Sequence, residues 1–407
     1  MIKKDRETTK VRIVFDAAAR GKYGCLNDYI ETGPKLQNDI VDVLLRFRKH
    51  AIALVCDISE MYLQIGIHED DRKYLRFLWK DRDDLKTFEF NRVVFGLNTS
   101  PFLAQLVSRE NARLYEKEFP RASESVYEST YMDDTLDSVE SVEEGKTLRI
   151  DIEKLWSKAG MKVCKWMSNS EEVLAEIPIE NRSKNLEIED EGSCATKTLG
   201  ITWNSKTDVF EFHVKLFSEV KITKRNLLSW VARIFDPLGM ISPYTISGKM
   251  FIQKAWMAGV DWDEPLERSL TNKIERWFQD ADKIELIKVP RLLIKTATEE
   301  AELHVFSDAS SEGYGAVVYL RSMDGGKWDT SFVVGKGKVV PIKSISIPRL
   351  ELMAACLGVK LLTRVIKPLG ITMEKVTFWE DSMDVLWWIK QQSRQLKPFV
   401  ANRIGEI

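Results

Sequence analysis

Asp133 and Asp134 stand side by side within VYESTYMDDTLDSVE, residues 126–140, a stretch that otherwise reads as extended chain. Two adjacent like charges in such a segment repel one another unless a counter-charge offsets them. A divalent cation would serve, provided a third carboxylate completes its shell. The run IALVCDI offers one, since it reads as a compact apolar strand that ends on Asp57. Taken singly, Asp57 is an ordinary strand-end or helix-cap aspartate, and an isolated aspartate pair is ordinary exposed charge. Taken together they are far more restrictive. Two metal ions roughly 3.5–4 Å apart can clamp the attacking and leaving oxygens of a phosphoryl displacement, and neighbouring strands must supply the carboxylates. An aspartate ending an apolar strand and a D-D hairpin tip in one domain meet that need.

The rest of the composition narrows the chemistry. No run approaches the roughly 18 apolar residues of a membrane span, and MIKKDRETTK has no apolar stretch resembling a signal peptide. The formal net charge of −2 gives no global positive field. Local basic clusters (RFRKH at 46–50, KITKR at 221–225, RQLKPFVANR at 394–403) read, each alone, as solvated surface. Five scattered cysteines without a C-x-x-C pair suggest reduced thiols inside a cell, and the four histidines lack metal-ligand spacing. Any metal is therefore expected to be a hard cation on carboxylates. An aspartic peptidase is the weakest reading, because no D-[ST]-G tripeptide occurs.

With 407 residues the chain has room for two or three domains. Its first part mixes strands and helices: VRIVFDA and IALVCDI as strands, NDIVDVLLRFRKH as a helix, and YLRFLW with KTFEFNRVV as a hairpin around KDRDD. SPFLAQLVSRENARLYEKEF reads as an amphipathic helix started by Ser100 and Pro101. A polar, acidic stretch before TKTLGITWN reads as a surface insertion. From about 215 to 290 the pattern is helical and Trp-rich, broken by FDPLGMISPY. Beyond it, AELHVFSDAS, GYGAVVYL and SFVVGKGKVV read as three strands, followed by a helix over IPRLELMAACLGVKLLTRVI, a strand over KVTFWED and a second helix. Such an order predicts an α/β domain with a mixed sheet. It places Asp308 at a strand end, Glu351 on the first turns of a helix, and Asp381 where a strand meets a helix.

DISEMY, FGLNTSPFLAQ, YMDD, GMKVCKW and LGITW occur in the order of the palm motifs of reverse transcriptases. VRIVFDAAAR, LNDYIETGP, RFLW, FDPLG, IPRLEL and FVANR resemble the Pao/BEL group of long-terminal-repeat retrotransposon polyproteins. The resemblance implies an α+β palm/fingers polymerase over 1–210, a helical thumb/connection over 211–296 and an α/β ribonuclease H-like domain over 297–407. It implies RNA-directed DNA polymerase activity, with Asp57, Asp133 and Asp134 holding two Mg²⁺ ions, the Ile58 carbonyl as an extra ligand, and Mn²⁺ able to substitute. Arg12 would grip nucleotide phosphates, and Tyr62 would exclude a ribose 2′-hydroxyl. Gly96, Ser100, Pro101 and Gln105 would underlie the template–nucleotide pair, while Tyr131 would touch the primer end. Lys165, with Lys162 as competitor, would stand near the leaving pyrophosphate as general acid, and LGITW would be the primer grip. Asp308, Glu351 and Asp381, with Glu380 as a substitute for the last, resemble the two-Mg²⁺ core of ribonuclease H. Implied partners are an RNA template, a DNA primer, the RNA/DNA hybrid, deoxynucleoside triphosphates and other parts of the polyprotein, in a cytoplasmic virus-like particle and with no membrane. The fourth ribonuclease H carboxylate is absent before the final ANRIGEI, and Met1 falls inside the fingers. Weak ribonuclease H activity is therefore expected, as from a polyprotein fragment. The alternative is an impaired or co-opted element that binds nucleic acid without turnover.

Overall fold

The computed structural model describes residues 14–82, 84–183, 195–198, 201–213, 221–294 and 301–407. Contacts divide the chain into two compact units, one of 1–39, 54–137 and 141–184, the other of 40–53, 138–140 and 185–407.

The strand predicted at IALVCDI is β1 (Ile52–Ile58), where only Ile52 and Asp57 escape full burial. Near-continuous apolar residues suit a strand covered on both faces. It follows α1 (Ile40–Phe47), the helix expected at NDIVDVLLRFRKH. The hairpin around KDRDD is β2 (Arg76–Asp81) paired antiparallel with β3 (Asp84–Glu89). Next come α2 (Ser100–Tyr115), started by Pro101, and α3 (Pro120–Glu128), started by Pro120. β4 (Thr130–Tyr131) and β5 (Asp134–Val139) follow, then α4 (Val142–Lys158) and β6 (Val163–Ser168). These strands form a sheet of order β4-β5-β1-β6, so β1 is central and Asp57 neighbours both the hairpin and β6.

Two expectations need correction. The stretch 126–140 is not extended throughout, because Val126–Glu128 close α3. That helix buries Ala122, Ser123, Ser125 and Val126, and the Ser123 hydroxyl donates to the Ala112 carbonyl at 3.1 Å, so tertiary contacts override local strand preference. VRIVFDA contributes, among its described residues, only a bridge between Val14 and Phe95; residues 11–13, including Arg12, lie outside the described residues.

In the second unit β7 (Ala195–Thr198), β8 (Ile201–Asn204), β9 (Val209–Glu211) and β10 (Lys288–Pro290) pair in the order β10-β9-β8-β7. β7 and β8 are the arms of a hairpin at LGITW, whose Leu199 and Gly200 lie outside the described residues. Helices α5 (Lys224–Arg233), α6 (Ser242–Met257) and α7 (Arg268–Gln279) pack around Leu227, Trp230, Ala255, Ile274 and Trp277. FDPLG ends α5 and starts α6: Asp236 accepts the N–H groups of Met240 at 2.8 Å and Ile241 at 2.9 Å.

β11 (Glu302–Ala309), β12 (Gly313–Asp324) and β13 (Lys327–Val339) form the expected antiparallel meander, and β14 (Val376–Trp379) joins it parallel to β11. The sheet order is β13-β12-β11-β14. Between β13 and β14 runs α8 (Ile347–Leu369), with twelve buried residues and an αL cap at Gly370. Then come α9 (Met383–Ile389) and α10 (Pro398–Ile404). The mixed sheet read from the sequence is present in full.

Two arginines hold this unit's layers. Arg48 and Arg291 are 1% and 0% exposed. Arg48 donates to the carbonyls of Arg291, Pro290, Phe332 and Val333 at 2.8–3.2 Å. Arg291 forks onto Asp208 at 2.6 and 2.8 Å and donates to the carbonyls of Phe47, His50 and Ala51. RFRKH is thus not wholly a solvated surface, and Lys224 of KITKR is buried too. Each burial is made tolerable by carbonyl acceptors, a pattern composition does not reveal.

Candidate active site

Asp57 is the last but one residue of β1, and a bulge in the pairing of β1 with β6 sets it opposite Cys164. On the other side, the Ile58 N–H donates to the Asp133 carbonyl at 2.9 Å. The β4–β5 hairpin pairs Tyr131 with Asp134, and Met132 between them takes a left-handed φ of 58°. The buried Gln105 of α2 donates to the Met132 carbonyl at 3.2 Å, which props the turn from below. Local backbone geometry thus brings the turn of Asp133 and Asp134 against the strand end that carries Asp57.

Lys165 completes the group. Its Nζ donates to Asp57 Oδ2 at 2.7 Å, from a residue whose own φ is 54°. Non-glycine residues rarely adopt that conformation, and such strain concentrates at functional sites. Burial alone would lower the Lys165 ammonium, but the bond to Asp57 and the charges of Asp57, Cys164 and Asp134 outweigh it and hold it above the ordinary lysine range. Cys164, which sequence reasoning passed over, lies 3.7 Å from Asp57 Oδ1. Its thiol is pushed up to about 11, by burial first and then by Asp57. Lys162 is exposed; its carbonyl accepts the Ser59 N–H at 2.8 Å.

The neighbours have definite places. Tyr62 sits on a helical turn, Met61–Gln64, with its ring 4.8 Å from that of Phe95. Gly96 has a φ of 111°, and a Cβ there would stand 1.9 Å from the Phe15 carbonyl oxygen. Gly96 is therefore required by the chain's own backbone. Ser100 is buried, and its hydroxyl donates to the Val94 carbonyl at 2.6 Å.

All the donors predicted for a metal here are hard oxygens, three carboxylates and the Ile58 carbonyl, as Mg²⁺ prefers. Among the described residues, no group of three or more His, Cys, Asp or Glu side chains stands gathered as a metal site. The donor chemistry fits a hard cation, while the arrangement has Asp57 turned to Lys165; a cation at Asp57 would exchange with that ammonium.

The second carboxylate set forms at the ends of β11 and β14. Their parallel register pairs Phe306 with Trp379, after which Ser307 and Asp308 follow on one strand and Glu380 and Asp381 beyond the end of the other. The Ser307 hydroxyl donates to Glu380 Oε2 at 2.6 Å, which fixes that alignment. Burial raises the Glu380 carboxyl, and Asp381 and Glu351 add to the rise, against the hydrogen bonds from Ser307 and the Ser382 N–H. Glu351 on α8 is thereby within electrostatic reach of the strand ends. Asp308, Glu380 and Asp381 border a cleft of about 890 Å³ that is otherwise largely apolar.

Residues 19–170 match the family described as reverse transcriptase (RNA-dependent DNA polymerase). Residues 223–382 match the Pao retrotransposon-like RNaseH-like domain. Residues 223–382 thus carry a Pao retrotransposon-like domain. Asp57, Asp133, Asp134 and Lys165 fall in the first matched stretch, and Asp308, Glu351 and Asp381 in the second. No curated protein matches it. Among solved structures, the foamy viral protease-reverse transcriptase in complex with double-stranded DNA is similar, with a TM-score of 0.59 at 14% identity. The same viral enzyme with an RNA/DNA hybrid gives 0.55 at 16%. The chain is covered to 94% and 91%, yet spans only 59% and 45% of those proteins. The likeness is one of fold. Among the described residues, no helix is long and apolar enough to cross a membrane.

Proposed function

We propose that the chain is an RNA-directed DNA polymerase of a Pao-type retrotransposon, with an associated ribonuclease H-like domain. The observation that carries this reading is the bond from the Ile58 N–H to the Asp133 carbonyl, which brings the hairpin of Asp133 and Asp134 against the strand end of Asp57. The reaction is attack of a primer 3′-hydroxyl on the α-phosphate of a deoxynucleoside triphosphate, directed by an RNA template. Bound Mg²⁺ ions, held by Asp57, Asp133 and Asp134 with the Ile58 carbonyl, supply charge for the attacking and leaving oxygens. Positioning and electrostatics then do most of the catalytic work.

Lys165 neutralises Asp57 when no cation is bound and, once displaced, is free to give a proton to the leaving pyrophosphate. The Tyr62 ring, backed by Phe95, excludes a ribose 2′-hydroxyl. Gln105 and Gly96 fix the floor beneath the template–nucleotide pair, Tyr131 touches the primer end, and Arg12 grips nucleotide phosphates. Asp308, Glu351 and Asp381 form the hydrolytic site for the RNA strand of a hybrid, with Glu380 beside them. We assign 1–210 to fingers and palm, 211–296 to thumb and connection, and 297–407 to the ribonuclease H-like domain. The setting is a cytoplasmic particle that holds the other parts of the polyprotein.

One observation favours a second reading, binding of nucleic acid without turnover: the Asp57 carboxylate is engaged by Lys165. Single-nucleotide incorporation on an RNA template, measured over a Mg²⁺ series, separates the two. Metal-dependent incorporation supports the polymerase; hybrid binding with no incorporation at any Mg²⁺ concentration supports the alternative.

A further inference from the structure

Another, smaller cavity of about 220 Å³ lies in the unit of 40–53, 138–140 and 185–407. Lys249 of α6, Lys336 of β13 and Arg364 of α8 border it, together with Asp236, Ser242 and Thr245. Three cations thus line it against one carboxylate. That carboxylate is already engaged, since its two oxygens accept the N–H groups of Met240 and Ile241 at 2.8 and 2.9 Å. Lys249 acts on it through charge, without a hydrogen bond. Ser242 and Thr245 bring hydroxyls from the first turn of α6. Gly335 and Gly337 flank Lys336 on the β13 wall. Cations and hydroxyls around a small recess make a site for an oxyanion of phosphate type, bound by charge-assisted hydrogen bonds.

We infer that this cavity is a phosphate-binding site. Gly239, Ser242, Gly335, Lys336 and Gly337 border both it and the 890 Å³ cleft that reaches Asp308 and Asp381, so the two adjoin. A polynucleotide strand lying along the cleft would place one backbone phosphodiester in the cationic recess. The strand backbone is therefore the expected source of the phosphate, a step that rests on the nucleic-acid function proposed above. The anion site itself does not.

The test is calorimetric titration of the full chain with inorganic phosphate, wild type beside the triple variant K249A/K336A/R364A. All three side chains are exposed, so an unchanged melting curve is the expected fold control. At least a tenfold loss of phosphate affinity in the triple variant, with a smaller loss in Lys249→Ala alone, supports the site. Equal affinity in both proteins, or no binding by wild type, overturns it. A second arm uses an RNA/DNA hybrid over a salt series. Displacement of phosphate by the hybrid, with the logarithmic salt slope of the triple variant reduced by about 0.7–0.9, identifies a strand phosphodiester. Phosphate that stays bound beside the hybrid identifies a free oxyanion and keeps the site. Absence of hybrid binding would count against the nucleic-acid function alone, since phosphate binding is read separately.

Discussion

Lys165→Met is the most informative single perturbation of the palm. The wild-type Nζ stands 2.7 Å from Asp57 Oδ2, with side-chain exposures of 36% and 18%. A hydrogen bond to a charged group contributes about 1.5–3 kcal/mol, and partial exposure to solvent reduces that to about 1–2 kcal/mol here. The variant leaves Asp57 without its ammonium, so in metal-free buffer its domain should melt about 2–8 °C lower, taking 2–4 °C per kcal/mol. Mg²⁺ should then restore more stability to the variant than to wild type, because no ammonium competes for Asp57. The same 1–2 kcal/mol corresponds to roughly 5–30-fold tighter Mg²⁺ binding. Nucleotide incorporation should nevertheless fall, since the proton donor is gone. Calorimetric melting with and without Mg²⁺, beside a Mg²⁺ titration, reads both effects. An equal melting deficit with and without Mg²⁺, or unchanged Mg²⁺ affinity, would refute the exchange between Lys165 and the cation.

Arg291→Met should lower stability by at least about 4 kcal/mol in denaturant unfolding, because it strips Asp208 of a buried partner and leaves three carbonyls without their donor. A loss below about 1 kcal/mol would show that the arginine pair is not structural. Gly96→Ala should yield little folded protein, given a φ of 111° and the Phe15 carbonyl 1.9 Å from the added Cβ. Normal yield and melting would show that the backbone there can move away. Cys164 should label with iodoacetamide at pH 8 roughly 100-fold more slowly than an ordinary thiol, because its thiolate forms only near pH 11. Mass-spectrometric labelling at ordinary rates would show that the thiol is not held protonated beside Asp57.

The parts of this fold legible in the sequence are those whose signal is local. IALVCDI announces β1 by its apolar run, YLRFLW and KTFEFN announce their hairpin, and the order of strands and helices after residue 300 announces the mixed sheet. The places of Asp57 near a strand end and of Asp133 and Asp134 at a hairpin turn are also local, since an apolar run and the turn after it mark them. What stayed hidden depends on distant partners. The pairing of Val209–Glu211 with Lys288–Pro290 joins segments separated by α5, α6, α7 and a further short helix, and nothing in either triplet specifies the other. Arg48 reads as one more member of a basic run until carbonyls from β10 and β13 close around it. The helix over 120–128 was obscured by β-branched and aromatic neighbours, although Pro120 marks its start. Cys164 entered only through the bulge that sets it opposite Asp57.

The central claim is that Asp57, Asp133 and Asp134 form a polymerising site separate in chemistry from Asp308, Glu351 and Asp381. Primer extension on an RNA template with Mg²⁺ and deoxynucleotides, comparing wild type, Asp133→Asn and Asp381→Asn, tests it directly. The account predicts extension by wild type and by Asp381→Asn, and a loss of at least about 100-fold in Asp133→Asn, as expected when a charge at the reacting phosphate is removed. Extension by Asp133→Asn at the wild-type rate would contradict it.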